Sequence, residues 1–219
     1  MQRRVLLAMT AAVTMMGSMA TMAAGFVEGQ DYVVLEKPLP NAEKTIVKVW
    51  SYDCPFCYKW DVGVDPKVIG DVVKETGFTF VPMHLETKGK YGRVATEFLA
   101  WCQLQDRANG LTSLDAGLYK KAKAAWYVAY HKKGERWTAG EEAFVNTALD
   151  ATGLTAEAFV VARKDPKVQA LADSWKPCYD VAKVQGIPAY VVNGKYLVMT
   201  KKVRGIKGFH DILVELSKK

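Results

Sequence analysis

A cysteine pair, Cys54-Pro55-Phe56-Cys57, stands directly behind a run of β-branched and aromatic residues from Thr45 to Tyr52. No other feature constrains the fold of this chain as much. The run (Thr-Ile-Val-Lys-Val-Trp-Ser-Tyr) is too short for a typical helix and nearly apolar on both faces, so it reads as a central buried strand. Behind the cysteines, Trp60, Val64, Val68 and Val72 recur at helical spacing between Tyr58 and about Thr76, and Gly77 marks the stop. Phe78 to Leu85 reads as a second strand, so strand, CxxC, helix and strand open a βαβ unit. That order puts Cys54 at a helix N-terminus, where unpaired backbone N–H groups and the helix dipole stabilise an anion. Cys54 is therefore the expected exposed thiolate. Cys57, three residues further in, is its buried partner within disulfide reach. Pro55 suits the first turn, because its φ is preset and no N–H donor is needed there.

The rest of the 219 residues, half of them apolar, allow a substantial core in one domain or one domain with an insertion. Asp31 to Leu35 is a short apolar run, followed by a turn-rich connection from Lys37 to Asn41. From about Glu86 to Ala172 the pattern is helical: Ala95 to Leu104, Leu114 to His131, Ala139 to Thr152 and Thr155 to Arg163. Helix starts are signalled by Thr138 three residues before Glu141, and by Thr155 three residues before Ala158. Trp126, Tyr127 and Tyr130 read as packing residues. Gly186-Ile187-Pro188-Ala189 then leads into a strand Tyr190 to Val192, an Asn193-Gly194 turn and a strand Lys195 to Met199, which is a hairpin signal. An amphipathic helix, Gly208 to Leu216, closes the chain.

At the front, Arg3 and Arg4 precede an apolar stretch that ends in Thr21-Met22-Ala23, the pattern of a signal peptide over residues 1–23. A membrane anchor is the alternative, weakened by the Thr, Ser and Gly mixed into the stretch. Cleavage would leave 28 basic against 23 acidic side chains, a formal charge of +5. The lysines are scattered, which argues against nucleic acid and for an acidic protein partner or an anionic membrane surface. All four cysteines lie beyond the leader, in a part of the chain expected to meet an oxidising compartment. Of the three possible connectivities, only one joins Cys54 to Cys57, and it leaves Cys102 with Cys178.

A CxxC at a helix start suits thiol–disulfide exchange. A substrate thiolate attacks Cys54 to give a mixed disulfide, and a second substrate thiolate releases the oxidised product. The competing reading is a structural or metal-binding pair, but His84, His131 and His210 lie far apart with no ligand spacing. No metal or other cofactor is expected. His84 either lines the strand end near the site or is a satisfied structural histidine, the second being the simpler reading. His131 and His210 show no partner in the sequence.

Cys54-Pro55-Phe56-Cys57 behind an apolar strand, Gly186-Ile187-Pro188 more than 130 residues later, Val192-Asn193-Gly194-Lys195-Tyr196 and a helical block between them together resemble the DsbA family. The resemblance implies an α/β thioredoxin fold, a mixed central sheet flanked by helices and interrupted by an all-helical insertion. Residues 24–85 and 173–219 would form the two thioredoxin parts and residues 86–172 the insertion. It further implies a cis peptide before Pro188, with Ile187 facing the substrate, a monomer in the periplasm, reduced exported proteins as substrates, and reoxidation by a membrane quinone-linked enzyme of DsbB or DsbI type. Two positions depart from the family pattern. Phe56 stands where histidine is common, and Lys48, six residues before Cys54, stands where a buried acid is usual. Lys48 either supports the thiolate from nearby or snorkels to solvent. Asp61, one turn past Cys57, matches an acidic family position and is expected to be a solvated charge. Phe56, the extra Cys102 and Cys178 and the basic balance resemble the DsbL branch, which serves a periplasmic arylsulfate sulfotransferase. A Cys102–Cys178 bond would tie the insertion to the thioredoxin part with a nominal stabilisation of about 4 kcal/mol. An isomerase or reductase, a non-catalytic exported binding domain and a metallochaperone are the remaining alternatives.

Overall fold

In the computed structural model, which describes residues 25–219, the expected central strand is β2 (Thr45–Trp50). The expected signal peptide lies outside the described residues. The other strands are β1 (Tyr32–Val34), β3 (Thr79–His84), β4 (Ala189–Val192) and β5 (Tyr196–Val198), in the sheet order β1-β5-β4-β2-β3. β2 runs parallel to β3 and antiparallel to β4, so Lys48 lies between Pro82 and Tyr190. Pro82 is tolerated because β3 is an edge strand, where one missing N–H leaves no ladder unpaired on the outer side. The β4–β5 hairpin turns on Asn193 and Gly194, both at positive φ (54° and 71°), which a two-residue turn of matching twist requires.

The helix expected from Tyr58 to Thr76 is two helices, α1 (Pro55–Gly63) and α2 (Asp65–Thr76). Pro66 explains the break: it has no N–H to donate and its ring crowds the preceding turn, so the helix restarts around it. Gly77 ends α2 in the left-handed region, φ 70°, as its position suggests.

Alternation along β2 sends Ile46 to one face and Val47 and Val49 to the other. On the first face, Val68, Ile69 and Val72 of α2 and Phe209, Ile212 and Leu213 of α9 (Gly205–Ser217) pack over Ile46, Tyr190 and Val192. On the second, Val47, Val49 and Trp50 share one continuous core with Phe98 of α3 (Gly92–Ala108), Trp126 of α4 (Leu118–Tyr127) and Phe144 of α5 (Glu141–Thr152). Tyr119 of α4 joins this block to the sheet: its hydroxyl accepts from Trp50 Nε1 at 2.9 Å and donates to Pro82 O at 3.3 Å.

Thr155 caps α6 (Ala156–Ala162), accepting from the Ala158 N–H at 3.2 Å. The expected cap at Thr138 is not used. Trp137 is buried at positive φ, with its Nε1 donating to Thr147 Oγ1 at 2.8 Å, and this turn delays α5 until Glu141 behind Gly140. Two helices escaped the periodicity reading, α7 (Pro166–Ser174) and α8 (Cys178–Gln185). α7 nonetheless carries a legible start, Asp165 accepting from the Lys167 N–H and Pro166 in the first turn. α4 runs on into a π-helical turn, Val128–Lys132. Among the described residues no helix is long and apolar enough to cross a membrane.

Candidate active site

From the end of β2 the chain passes through Ser51 to Asp53 and delivers Cys54 to the N-cap of α1, with φ −85° and ψ 111°. Cys54 and Cys57 are joined in a disulfide, their Cα atoms 5.2 Å apart. The backbone N–H of Cys57 points at Cys54 Sγ from 3.0 Å. A fixed donor at that distance favours negative charge on Cys54 once the disulfide opens. The Ile187–Pro188 peptide is cis, and Ile187 O lies 3.6 Å from Cys54 Sγ.

The expectation that Cys54 is exposed needs correction. In the disulfide form Cys54 is 2% exposed and Cys57 wholly buried, because the first turn of α1 and the Ile187 carbonyl close around the sulfurs. Phe56, 63% exposed, is what the site presents to solvent, with Lys59 Nζ 5.7 Å from its ring centre.

Lys48 does not snorkel. It is 1% exposed, and its Nζ donates to Asp65 Oδ2 at 2.5 Å and Asp61 Oδ1 at 3.2 Å. Lys123 of α4 donates to the same Asp61 oxygen at 2.5 Å, and the Tyr190 hydroxyl donates to Asp65 Oδ1 at 2.5 Å. Asp61 is accordingly no solvated charge but a member of a buried two-lysine, two-aspartate cluster. Burial pushes its carboxyl upward, yet Lys48 and Lys123 outweigh burial and hold it below the usual carboxylate range. Burial pulls the Lys123 ammonium down, with Asp61 opposing. Lys123 was missed in the sequence, although its position between the buried Tyr119 and Trp126, at spacings of four and three, places it on the inward stripe of α4.

His84 bears out the reading the sequence favoured, whereas His131 and His210 have partners that the sequence did not show. His84 is a satisfied structural histidine: its Nδ1 pairs with Thr96 Oγ1 at 2.8 Å and its Nε2 accepts from the Tyr52 N–H at 3.4 Å. Burial pushes its pKa down to about 3, so it stays neutral. His131 reaches the site from the π turn. Its Nε2 donates to Tyr52 O at 2.9 Å, and its ring stacks on Tyr58 with centres 4.9 Å apart and planes 2° from parallel. Tyr52 and Tyr58 flank the cysteine pair, so His131 braces the loop that carries it. A π-helical turn leaves no sequence signal of its own, and turns of this kind recur at functional sites. His210 pairs with Glu75 of α2 and with Asp211, on the α2–α9 side of the sheet.

The bond expected between Cys102 and Cys178 is absent, and both are buried free thiols. Cys178, at the start of α8, places its Sγ 3.6 Å from Met83 Sδ, and Cys102 is buried on α3, so both serve as packing residues of the same core. Burial raises both thiols, Cys178 to about 12 and Cys102 well above its ordinary value, which makes them inert while folded. Thiol counting with a chromogenic disulfide reagent should find no reactive thiol in the native oxidised protein and two after denaturation. None after denaturation would restore the bond. Among the described residues no group of three or more His, Cys, Asp and Glu side chains is placed to hold a metal.

No family model matches the chain. It is 51% identical over 200 residues to the thiol:disulfide interchange protein DsbL of Escherichia coli O6:H1, covering 90% of this chain and 89% of that one. It is 25% identical over 177 residues to the thiol:disulfide interchange protein DsbA of Yersinia pestis, covering 80% of this chain and 78% of that protein. Among solved structures, DsbL of Salmonella enterica serovar Typhimurium superposes with a TM-score of 0.84 at 51% identity, over 90% of this chain and 100% of that one. DsbA of Proteus mirabilis shares the thioredoxin-type fold, with a TM-score of 0.68 at 20% identity over 89% of this chain and 98% of that one. A likeness of this depth across nine-tenths of the sequence, around a disulfide seated at a helix start, places the chain in the DsbA family of thiol:disulfide interchange proteins, within its DsbL branch, as a thiol:disulfide oxidoreductase.

Proposed function

We propose that this oxidoreductase is a periplasmic dithiol oxidase that donates the Cys54–Cys57 disulfide to reduced exported proteins. The observation that carries this reading is the Cys57 N–H held 3.0 Å from Cys54 Sγ at the start of α1. A donor already aimed at Cys54 stabilises the reduced, thiolate form, and a disulfide whose reduced form is stabilised is a strong oxidant. A substrate thiolate attacks Cys54 Sγ, forming the mixed disulfide as the Cys54–Cys57 bond breaks and its electron pair goes to Cys57. A second substrate thiolate then attacks the substrate sulfur and expels Cys54 as a thiolate. The substrate leaves oxidised by two electrons and the enzyme is reduced.

The neighbouring residues take roles that fit this sequence of steps. Pro55 preorganises the first turn, and Phe56 offers an apolar contact beside the sulfurs. The cis Ile187–Pro188 segment holds its backbone alongside Cys54, where an extended substrate strand could pair with it. Lys48 adds positive charge behind α1. Residues 86–172 act as one inserted helical unit, residues 1–23 direct export, and the protein works as a monomer. The reduced enzyme is returned to the disulfide by a membrane quinone-linked partner of DsbB or DsbI type, and an arylsulfate sulfotransferase is a substrate in keeping with the DsbL branch. The test is equilibration in glutathione buffers followed by mixing with a reduced test protein. The oxidase reading requires a potential above that of glutathione and stoichiometric oxidation of the test protein, and a strongly reducing, inert disulfide overturns it.

A further inference from the structure

The buried cluster behind α1 contains a residue from outside the thioredoxin part. Asp61 lies four residues after Cys57 on α1, so the two side chains are neighbours on one helix face, and Cys57 is wholly buried. When the disulfide opens, Cys57 Sγ takes the electron pair of the broken bond and must carry negative charge there, next to a carboxylate. Lys48 alone does not cancel that carboxylate. Its shorter bond, 2.5 Å, goes to Asp65, and its contact with Asp61 is 3.2 Å. The 2.5 Å partner of Asp61 is Lys123, which α4 carries in across the domain contact, with its Nζ also 5.9 Å from the Trp50 ring centre.

We propose that Lys123 is a positioning residue for the redox step: by neutralising Asp61 it keeps the pocket under Cys57 from opposing the charge that Cys57 acquires when the disulfide opens. The insertion thereby contributes to how readily the cysteine pair is reduced. The inference rests on the oxidase reading and deepens it. Its distinctive consequence is a pair of opposite signs. Removing the lysine leaves a bare carboxylate near the leaving sulfur, whereas removing the carboxylate leaves an extra cation. A purely structural role would make both variants worse in the same direction.

The experiment measures, at pH 6 so that lysines stay protonated, the rate of opening of the full-length protein's disulfide by reduced glutathione and the equilibrium constant of that exchange. Lys123→Met should lower both by about tenfold, Asp61→Asn should raise both, and Lys123→Arg should stay near the wild type. If Lys123→Met does not fold, the other two variants decide, since an Asp61→Asn rate at or below that of the wild type overturns the inference. Shifts of equal sign, or none, overturn it too while wild-type exchange leaves the oxidase reading standing. A wild-type disulfide that glutathione cannot open overturns both.

Discussion

Cys57→Ala is expected to abolish dithiol oxidation, by more than about a thousandfold, while collecting substrates on Cys54 as stable mixed disulfides. The loss follows because no enzyme disulfide can form without Cys57. The accumulation follows because the Cys54 thiolate can still attack the disulfide of an oxidised exported protein, forming the mixed disulfide as that bond breaks and one substrate sulfur leaves as thiolate, while the fastest enzyme route for breaking the adduct, attack by the adjacent buried thiolate, has been removed. Cys54 keeps its N-cap position, the backbone donor of residue 57 and the neighbouring Ile187 carbonyl, none of which needs the Cys57 side chain. Non-reducing gels of the variant purified from an exporting host should show adducts that vanish on reduction. Cys54→Ala should give none, since Cys57 is wholly buried under α1. Adducts on Cys54→Ala with none on Cys57→Ala would reverse the assigned roles, and equal adducts on both would remove the distinction.

Lys48→Met carries the second large effect, on stability as well as on the thiol. The substitution leaves the Asp65 carboxylate, whose side chain is 11% exposed, with only the Tyr190 hydroxyl as partner, and weakens the hold on Asp61. Removing one member of a buried ion pair costs about 3–5 kcal/mol, whereas replacing both with apolar groups of similar volume is often neutral. Lys48→Met should therefore lose a few kcal/mol in urea denaturation, and adding Asp65→Leu should recover a large part of it. The double variant would still lack an acceptor for the Tyr190 hydroxyl. The thiol follows a separate rule. Taking a cation from behind α1 removes a stabiliser of the thiolate, so the Cys54 pKa should rise in a titration followed by thiolate ultraviolet absorbance. A stability loss with an unchanged titration would confine Lys48 to a structural role.

The parts of this protein that the sequence by itself determined are those whose physics is local. A short apolar strand, a CxxC and a proline in the first turn suffice to seat Cys54 at a helix start. Gly77 must end α2 because the left-handed conformation there strains any side chain, and Asn193-Gly194 can turn β4 into β5 for the same reason. The break at Pro66 was missed, the stretch to Thr76 having been read as one helix, although a missing N–H acts on its own helix and carries a local signal. The tertiary structure alone decided which charges meet and which sulfurs are covered. Lys48 met Asp61 and Asp65 only because β2 lies under α1 and α2. Lys123 joined them from 62 residues beyond Asp61, and His131 found Tyr52 from 79 residues away. Cys102 and Cys178, even in number and plausible as a pair, remain unbonded free thiols in the core. Burial and ion pairing depend on distances that spacing along a chain does not encode, so the cysteines could be read from the sequence and the charges behind them could not.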